Sequence, residues 1–277
     1  MGFRIATNVS SITARKSLRG IGDNQQNVYA QLATGNRINK SSDDAAGLAI
    51  SEKLKAQVRS FKQADRNAND GISMIQVAEG GLNEVSNILI RLRELAIQSS
   101  SDTVGETERG YTDLEYQQLK SELQRIAEVT TFNGNTLLDG KGDVLEFQVG
   151  TKNDDFQDRI VYDVGKINAN LDQLGMDGLS VGSKEDAQSS LNAVDAAIDN
   201  VSGQRAILGA LQNRLITTSS NLQSAVENIS AANSRVRDVD YAEATASKVQ
   251  NDVLSQAGTM VLAQANNSGQ NALRLIG

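Results

Sequence analysis

Chemistry in a protein needs side chains that move protons, attack as nucleophiles or hold metals, and this sequence is poor in all three. It has no His and no Cys, which excludes imidazole bases and ligands, thiol nucleophiles, disulfides and thiolate metal sites. Two carboxylate pairs stand out, Asp43-Asp44 and Asp154-Asp155. The first opens a helix and the second falls in a hairpin loop, so capping and solvation is their reading in preference to metal binding. Gly35, Gly47, Gly71, Gly80 and Gly81 form no phosphate-binding fingerprint, because no strand precedes them and no Lys-Ser/Thr follows. Some of them mark bends or close helix approaches. No catalytic, cofactor-binding or metal-binding residue emerges, and the expectation is a protein that is not an enzyme.

The elements that would position any site must therefore explain the chain. Of its 277 residues 39 % are hydrophobic and only 4 % aromatic, a supply suited to thin seams between helices and poor for a thick, rounded core. Pro is absent, so no helix need be interrupted by a ring or a missing N–H. The net charge of −7 argues against nucleic acid as a partner. Residues 1–45 carry six cations against three carboxylates and residues 235–277 four against four, which leaves −10 for the middle. Near-neutral ends flanking an acidic centre imply different surroundings. No run approaches the ~20 apolar residues of a membrane span, so no membrane insertion is expected. The start, MGFRIATNVSSITARK, has no apolar stretch of the kind a secretory signal needs. On signals alone the chain reads as cytoplasmic, unless an export route without a cleavable signal applies.

Apolar residues keep a helical rhythm over long distances. Leu54, Val58, Phe61, polar Asp65, Ala68, Ile72 and Ile75 step by fours and threes, and Leu82, Val85, Leu89, Leu92 and Ala96 resume the series. One helix over about 44–99 is predicted, on the order of 80 Å long. A second over about 106–129 carries Tyr116, Leu119, Leu123 and Ile126, and a third over about 185–235 runs from Leu191 to Ile229. Such seams point to coiled-coil-like packing of antiparallel helices in a rod. Between the second and third helices the rhythm alternates: Asn133-Gly134 signals a turn, and Leu145, Phe147, Val149 and Ile160, Tyr162, Val164 predict a β-hairpin. The region 135–184 is expected to be a small β-rich cap. The fold class is mainly α.

Both termini carry narrow apolar faces, Leu18, Ile21, Val28 and Leu32 in one, and Ala242, Ala246, Val249, Val253, Ala257 and Met260 in the other. Neither buries enough surface alone to offset ~1–2 kcal/mol of backbone entropy per residue. Both are expected to be unfolded or molten in an isolated chain and to fold against neighbours.

The stretches TGNRINKSSDDAAGLAI (34–50), RNANDGISMIQVAEGGLNEVSNILIRLRELAIQSS (66–100), TTFNGNTLLDG (130–140) and the C-terminal 234–277 resemble bacterial flagellin. The resemblance implies a subunit of the flagellar filament, the propeller of swimming cells, in a short form lacking large outer domains. It implies that 1–43 and 235–277 supply paired helices of an inner tube, with 44–234 as the surrounding rod domain. The residues it assigns to inner-tube assembly are Ile5, Val9, Ile12, Leu18, Ile21, Val28, Leu32, Val249, Val253, Ala257, Met260, Val261 and Leu273. Arg235, Arg237, Asp238 and Asp240 alternate in sign at the passage from rod to terminal helix and are expected to form ion pairs between layers or subunits, each worth little if exposed.

The resemblance also implies partners: other copies of the chain, the flagellar type III export apparatus, an export chaperone, and the filament cap and hook-junction proteins. It makes the chain secreted, into an extracellular, sheathed or periplasmic filament. The chaperone's candidate surface is Val249, Val253, Leu254, Met260, Val261 and Leu262, the same stripe that packs in the tube. Arg91, Leu95 and Glu115 match a patch through which a Toll-like innate immune receptor recognises many flagellins, although subunit contact is its plainer role. Supercoiling of the filament implies a bistable segment, placed near 140–165 and the joints at 35–45 and 233–242. Ser180, Ser183 and Thr151 are candidates for glycosylation. The alternative within the same apparatus is the hook–filament junction protein, against which DDAAGLAI and NDGISMIQVAEGGLNEV weigh. An inserted zinc protease would need His-Glu-x-x-His, which a chain without His cannot supply, and the small middle offers little surface for an adhesin.

Overall fold

The computed structural model describes residues 7–274, with side chains to residue 267, so Ile5 and the Leu273 side chain lie outside the described residues. Five long helices carry the chain: α1 (Val9–Thr34), α2 (Ala45–Ser100), α3 (Glu106–Val129), α4 (Lys184–Arg237) and α5 (Tyr241–Arg274). Two small antiparallel hairpins lie between α3 and α4: β1 (Thr131–Phe132) with β2 (Asn135–Thr136), and β3 (Val144–Gln148) with β4 (Arg159–Asp163). The residues form two compact units, a terminal one of Met1–Ala56 with Asn228–Gly277 and a central one of Gln57–Glu227. Their divisions fall inside α2 and α4, twelve residues past the start of the first and ten before the end of the second.

In the central unit the predicted seam is the core. Ala68, Ile75, Leu82, Val85, Leu89, Leu92 and Ala96 of α2 are buried against Tyr116 and Leu123 of α3 and Val194, Val201, Leu208 and Leu215 of α4. Arg91 bonds Glu115 and Arg93 bonds Asp195, which marks the early turns of α3 and α4 as lying beside the late turns of α2, antiparallel to it. The one polar step in the α2 series, Asp65, takes a hydrogen bond from the Ser219 hydroxyl of α4 at 2.6 Å. A polar pair inside an apolar seam fixes which residues face each other.

Helix ends follow their capping chemistry. Asp44 Oδ1 accepts the Gly47 amide at 2.8 Å and starts α2, while Asp43 Oδ2 accepts the Lys40 and Asn39 amides in the turn before it. Those two backbone bonds, that of Lys40 first, hold the Asp43 carboxyl below its usual range. Ser183 caps α4 through the Asp186 amide at 3.1 Å.

The Asn133-Gly134 turn has φ of 50° and 86°, the left-handed pair that a two-residue hairpin demands, and it joins β1 to β2. The larger hairpin turns Leu145, Phe147, Ile160 and Tyr162 inward. It seats on α2 where Gly71 leaves room: a Cβ there would stand 3.1 Å from the Phe147 ring. Gly81 does the same for the segment after β2, since a Cβ would meet Leu138 at 2.7 Å. The predicted β-rich cap is smaller than expected. Past β4 the described chain to 183 makes one 3-10 turn at Val164–Lys166 and no further strand. Side chains of the helices hold it instead: Gln117 and Lys120 both donate to the Leu179 carbonyl, and Gln204 donates to that of Asn168.

Candidate functional site

Among the described residues no three His, Cys, Asp or Glu side chains gather where they would hold a metal ion, and no helix is long and apolar enough to cross a membrane. The surface that calls for explanation is on the terminal unit, where α1 and α5 pair. Two stripes run along α5. Ala244, Lys248, Asn251, Ser255, Gly258, Leu262 and Ala265 are buried or half-buried, in alternating steps of four and three that keep them on one face. Ala242, Ala246, Val249, Val253, Ala257 and Met260 form the other stripe, and all are exposed.

The first stripe faces α1, and its contacts are mostly polar or small. Asn8 Nδ2 donates to the Ala265 carbonyl at 2.9 Å, Ser11 Oγ to Asn266 Oδ1 at 2.9 Å and Gln25 Nε2 to Asp252 Oδ1 at 2.5 Å. The Lys248 ammonium stands 5.7 Å from the centre of the Tyr29 ring. These contacts set the two helices antiparallel. Leu18 supplies the apolar contact, packing where a Cβ on Gly258 would lie 2.7 Å from its Cδ2. Of the predicted assembly residues, Leu18, Ile21, Val28 and Leu32 are half-buried.

The second stripe is left in water. Val249 is 55 % exposed, Val253 60 %, Met260 72 % and Val261 59 %, and Val9 and Ile12 on α1 are exposed as well. Burying such a side chain is worth about 1.5–3 kcal/mol, so a row of them is a surface suited to covering. The apolar periodicity of the sequence therefore marks the outer face of α5. The face that meets α1 was missed, although its four-three spacing of Ser, Gly, Asn and Ala was the signal that identifies it.

The joint that launches this pair is also part of the terminal unit. Asn36 and Asp238 form an antiparallel bridge, flanked by Arg37 N donating to the Arg237 carbonyl at 2.7 Å and Val239 N to that of Gly35 at 3.0 Å. Arg237 reaches Glu52 at 2.7 Å, and Asp240 Oδ1 caps α5 through the Ala242 amide at 2.9 Å. Of the alternating quartet Arg235, Arg237, Asp238 and Asp240, only Arg237 makes an ion pair within the chain among the described residues, and its partner lies outside the quartet.

On the central unit, the Arg91 guanidinium bonds Glu115 at 2.8 Å and Glu94 at 2.9 Å, and all three side chains are about half exposed. Leu95 corrects the predicted patch. It is 2 % exposed and packs in the core, because it lies three residues beyond Leu92 on the inward stripe. On the same helix, Ile90 and Ile97 are exposed apolar residues.

The family model described as the bacterial flagellin N-terminal helical region matches residues 5–143, and that of the bacterial flagellin C-terminal helical region matches residues 191–276. Flagellin of Halalkalibacterium halodurans is 43 % identical over 97 % of this chain and 98 % of its own. Flagellin of Bacillus subtilis is 37 % identical over 99 % and 100 %. Among solved structures, the flagellin of Bacillus cereus is similar with a TM-score of 0.50 and 32 % identity, over 61 % of this chain and 94 % of that one.

Proposed function

Because this chain belongs to the bacterial flagellin family and is a structural subunit of the flagellar filament, we propose that its terminal helix pair is the surface through which copies polymerise. The hook–filament junction reading is not favoured, and flagellins are structural subunits, not enzymes. One observation carries the proposal: the exposed apolar stripe Val249, Val253, Ala257, Met260 and Val261 on α5, with Val9 and Ile12 beside it on α1. Open-ended assembly needs surfaces that meet different surfaces on the next copy, and this stripe has no cover within the described chain. Leu18 belongs to the same element by holding α1 on α5, and the half-buried Ile21, Val28 and Leu32 of α1 are assigned to it with Leu18. Ile5 and Leu273 extend the assignment beyond the described side chains.

The finer partners follow from this reading. An export chaperone would take the α5 stripe (Val249, Val253, Leu254, Met260, Val261) before the filament does, since a stripe that must be dry in the polymer needs a cover in the cell; Leu262, expected in that surface, is half-buried on the face turned to α1 and drops out of it. The type III export apparatus would deliver the subunit outside, and the filament cap and hook-junction proteins would meet it at the two ends of the polymer. Arg91 and Glu115, with Ile90 and Ile97, are proposed as a contact between central units that a host receptor would exploit. Arg235, Asp238 and Asp240 stand available for ion pairs with a neighbouring copy.

Val253→Asp tests the central proposal. A charge on the stripe should abolish filament growth from purified subunits while the thermal unfolding of the central unit stays unchanged. Filaments of normal length from the variant would refute the assignment.

A further inference from the structure

Asn133-Gly134 is the one place in the chain where glycine follows asparagine. An asparagine is a latent electrophile, because its side-chain amide carbon lies within five-membered-ring reach of the next residue's backbone nitrogen. A side chain on that next residue hinders the approach, and glycine has none. Both residues are exposed. The Gly134 amide donates to no group among the described residues, and a Cβ added there would meet nothing within 4 Å. The nucleophile is unmasked and the space around it is open.

The turn itself bears on ring closure. In a near-planar ring the attacking nitrogen eclipses Cβ about the Cα–C bond of Asn133, a ψ of about −120°, which is that of the first residue in a type II′ turn. Asn133 and Gly134 have φ of 50° and 86°, the left-handed pair of a type I′ turn, where that ψ is about +30°. Both turns close a two-residue hairpin and keep φ positive at the first residue; turning over the peptide between the two residues converts one into the other. The flip carries Gly134 to negative φ, which glycine accepts as readily as positive. The hairpin can thus bring Gly134 N onto Asn133 Cγ while Thr131 stays paired with Thr136 and Phe132 with Asn135.

We propose that Asn133 is a site of self-modification in the folded chain, by deamidation through the turn it occupies. Gly134 N gives its proton to a solvent base and bonds Asn133 Cγ; the Cγ–Nδ2 bond breaks and ammonia leaves, giving a succinimide. Water then opens the ring. Opening between nitrogen and Cγ gives aspartate with the main chain as before. Opening between nitrogen and the backbone carbonyl carbon gives isoaspartate, whose main chain runs through Cβ and Cγ. Nothing is oxidised or reduced, and water is the only co-reactant. Either product places a new negative charge on the tip of the hairpin, and isoaspartate also lengthens a turn that two residues must close. The strand beyond the turn leads into Leu137 and Leu138, both 0 % exposed, and Leu137 N donates to the Thr130 carbonyl at 3.1 Å. The modification therefore acts where those two leucines are fastened into the central core.

The test incubates the full chain in heavy-oxygen water at mildly alkaline pH, folded in one sample and unfolded by denaturant in another. Trypsin then releases residues 126–141, cut after Arg125 and Lys141, which hold Asn133 and Asn135. Heavy oxygen marks acid formed by ring opening during the incubation and separates it from acid formed during digestion in ordinary water. In the folded sample Asn133 is expected to convert ahead of every other asparagine, at least as fast as in the unfolded one, with aspartate and isoaspartate both present. Gly134→Ala should slow the conversion several-fold, and the comparison of folded with unfolded wild-type chain stands even if that variant does not fold. An Asn133 that stays intact in the folded chain, conversion led by another asparagine, or a folded sample several-fold slower than the unfolded one would overturn the proposal.

Discussion

Tyr162 shows what one side chain in the hairpin does for the central unit. It is buried, its hydroxyl has no hydrogen-bond partner among the described residues, and burial pushes its phenol up to about 12. The folded chain therefore keeps this proton where the unfolded one, near pH 10, loses it. The stability linked to it is intact below pH 10 and is lost as pH rises through about 12, amounting to about 3 kcal/mol. Tyr162→Phe keeps the ring and removes the orphan hydroxyl. Denaturant unfolding should give equal or up to about 1 kcal/mol higher stability at pH 7, with a shallower decline between pH 10 and 12. A lower midpoint at pH 7, or an unchanged alkaline decline, would contradict this account. The position of Tyr162 was legible, since its alternation with Ile160 and Val164 put it inward. Its lack of a partner was not, because that depends on which polar groups the folded chain brings near. Asp44 was legible as a cap for the opposite reason: its partner lies three residues away in sequence.

At the scale of elements, apolar periodicity located α2, α3 and α4 to within two residues at each end, because each buries a continuous seam. The same signal did not reveal the α5 face that meets α1. There the helices meet through Ser11, Gln25, Asp252 and Gly258, and apolarity alone cannot reveal a seam made of polar and small residues. If Leu18 on Gly258 sets that seam, Gly258→Val should push α1 off α5, and Leu18→Ala in the same chain should restore the pairing by vacating the space. Amide exchange of residues 9–34 in the filament would show the loss and the rescue; exchange unaffected by Gly258→Val, or loss that Leu18→Ala leaves uncorrected, would remove the notch from the account. The joint at Asn36 and Asp238 was predicted as an ion-paired hinge. Its backbone bridge, with Arg237 turned to Glu52, depends on segments about two hundred residues apart and was beyond local reading.

Across the whole molecule the chemistry divides between the two units. The central unit has a dry seam of its own, whereas α1 and α5 bury few side chains (Ser11, Ala244 and Ala265 among the described ones) and leave an apolar stripe uncovered. Backbone ordering costs ~1–2 kcal/mol per residue, which so thin a contact does not offset; under the proposed assembly role, cover from neighbouring copies supplies the difference. The most direct measurement is amide hydrogen exchange on the unassembled chain and on filaments under one condition. Slow exchange in the central seam of both samples is expected, with residues 9–34 and 241–267 exchanging fast in the free chain and becoming protected by orders of magnitude in the filament. Equal protection of those two segments before and after assembly would contradict the claim that neighbouring copies complete the terminal unit.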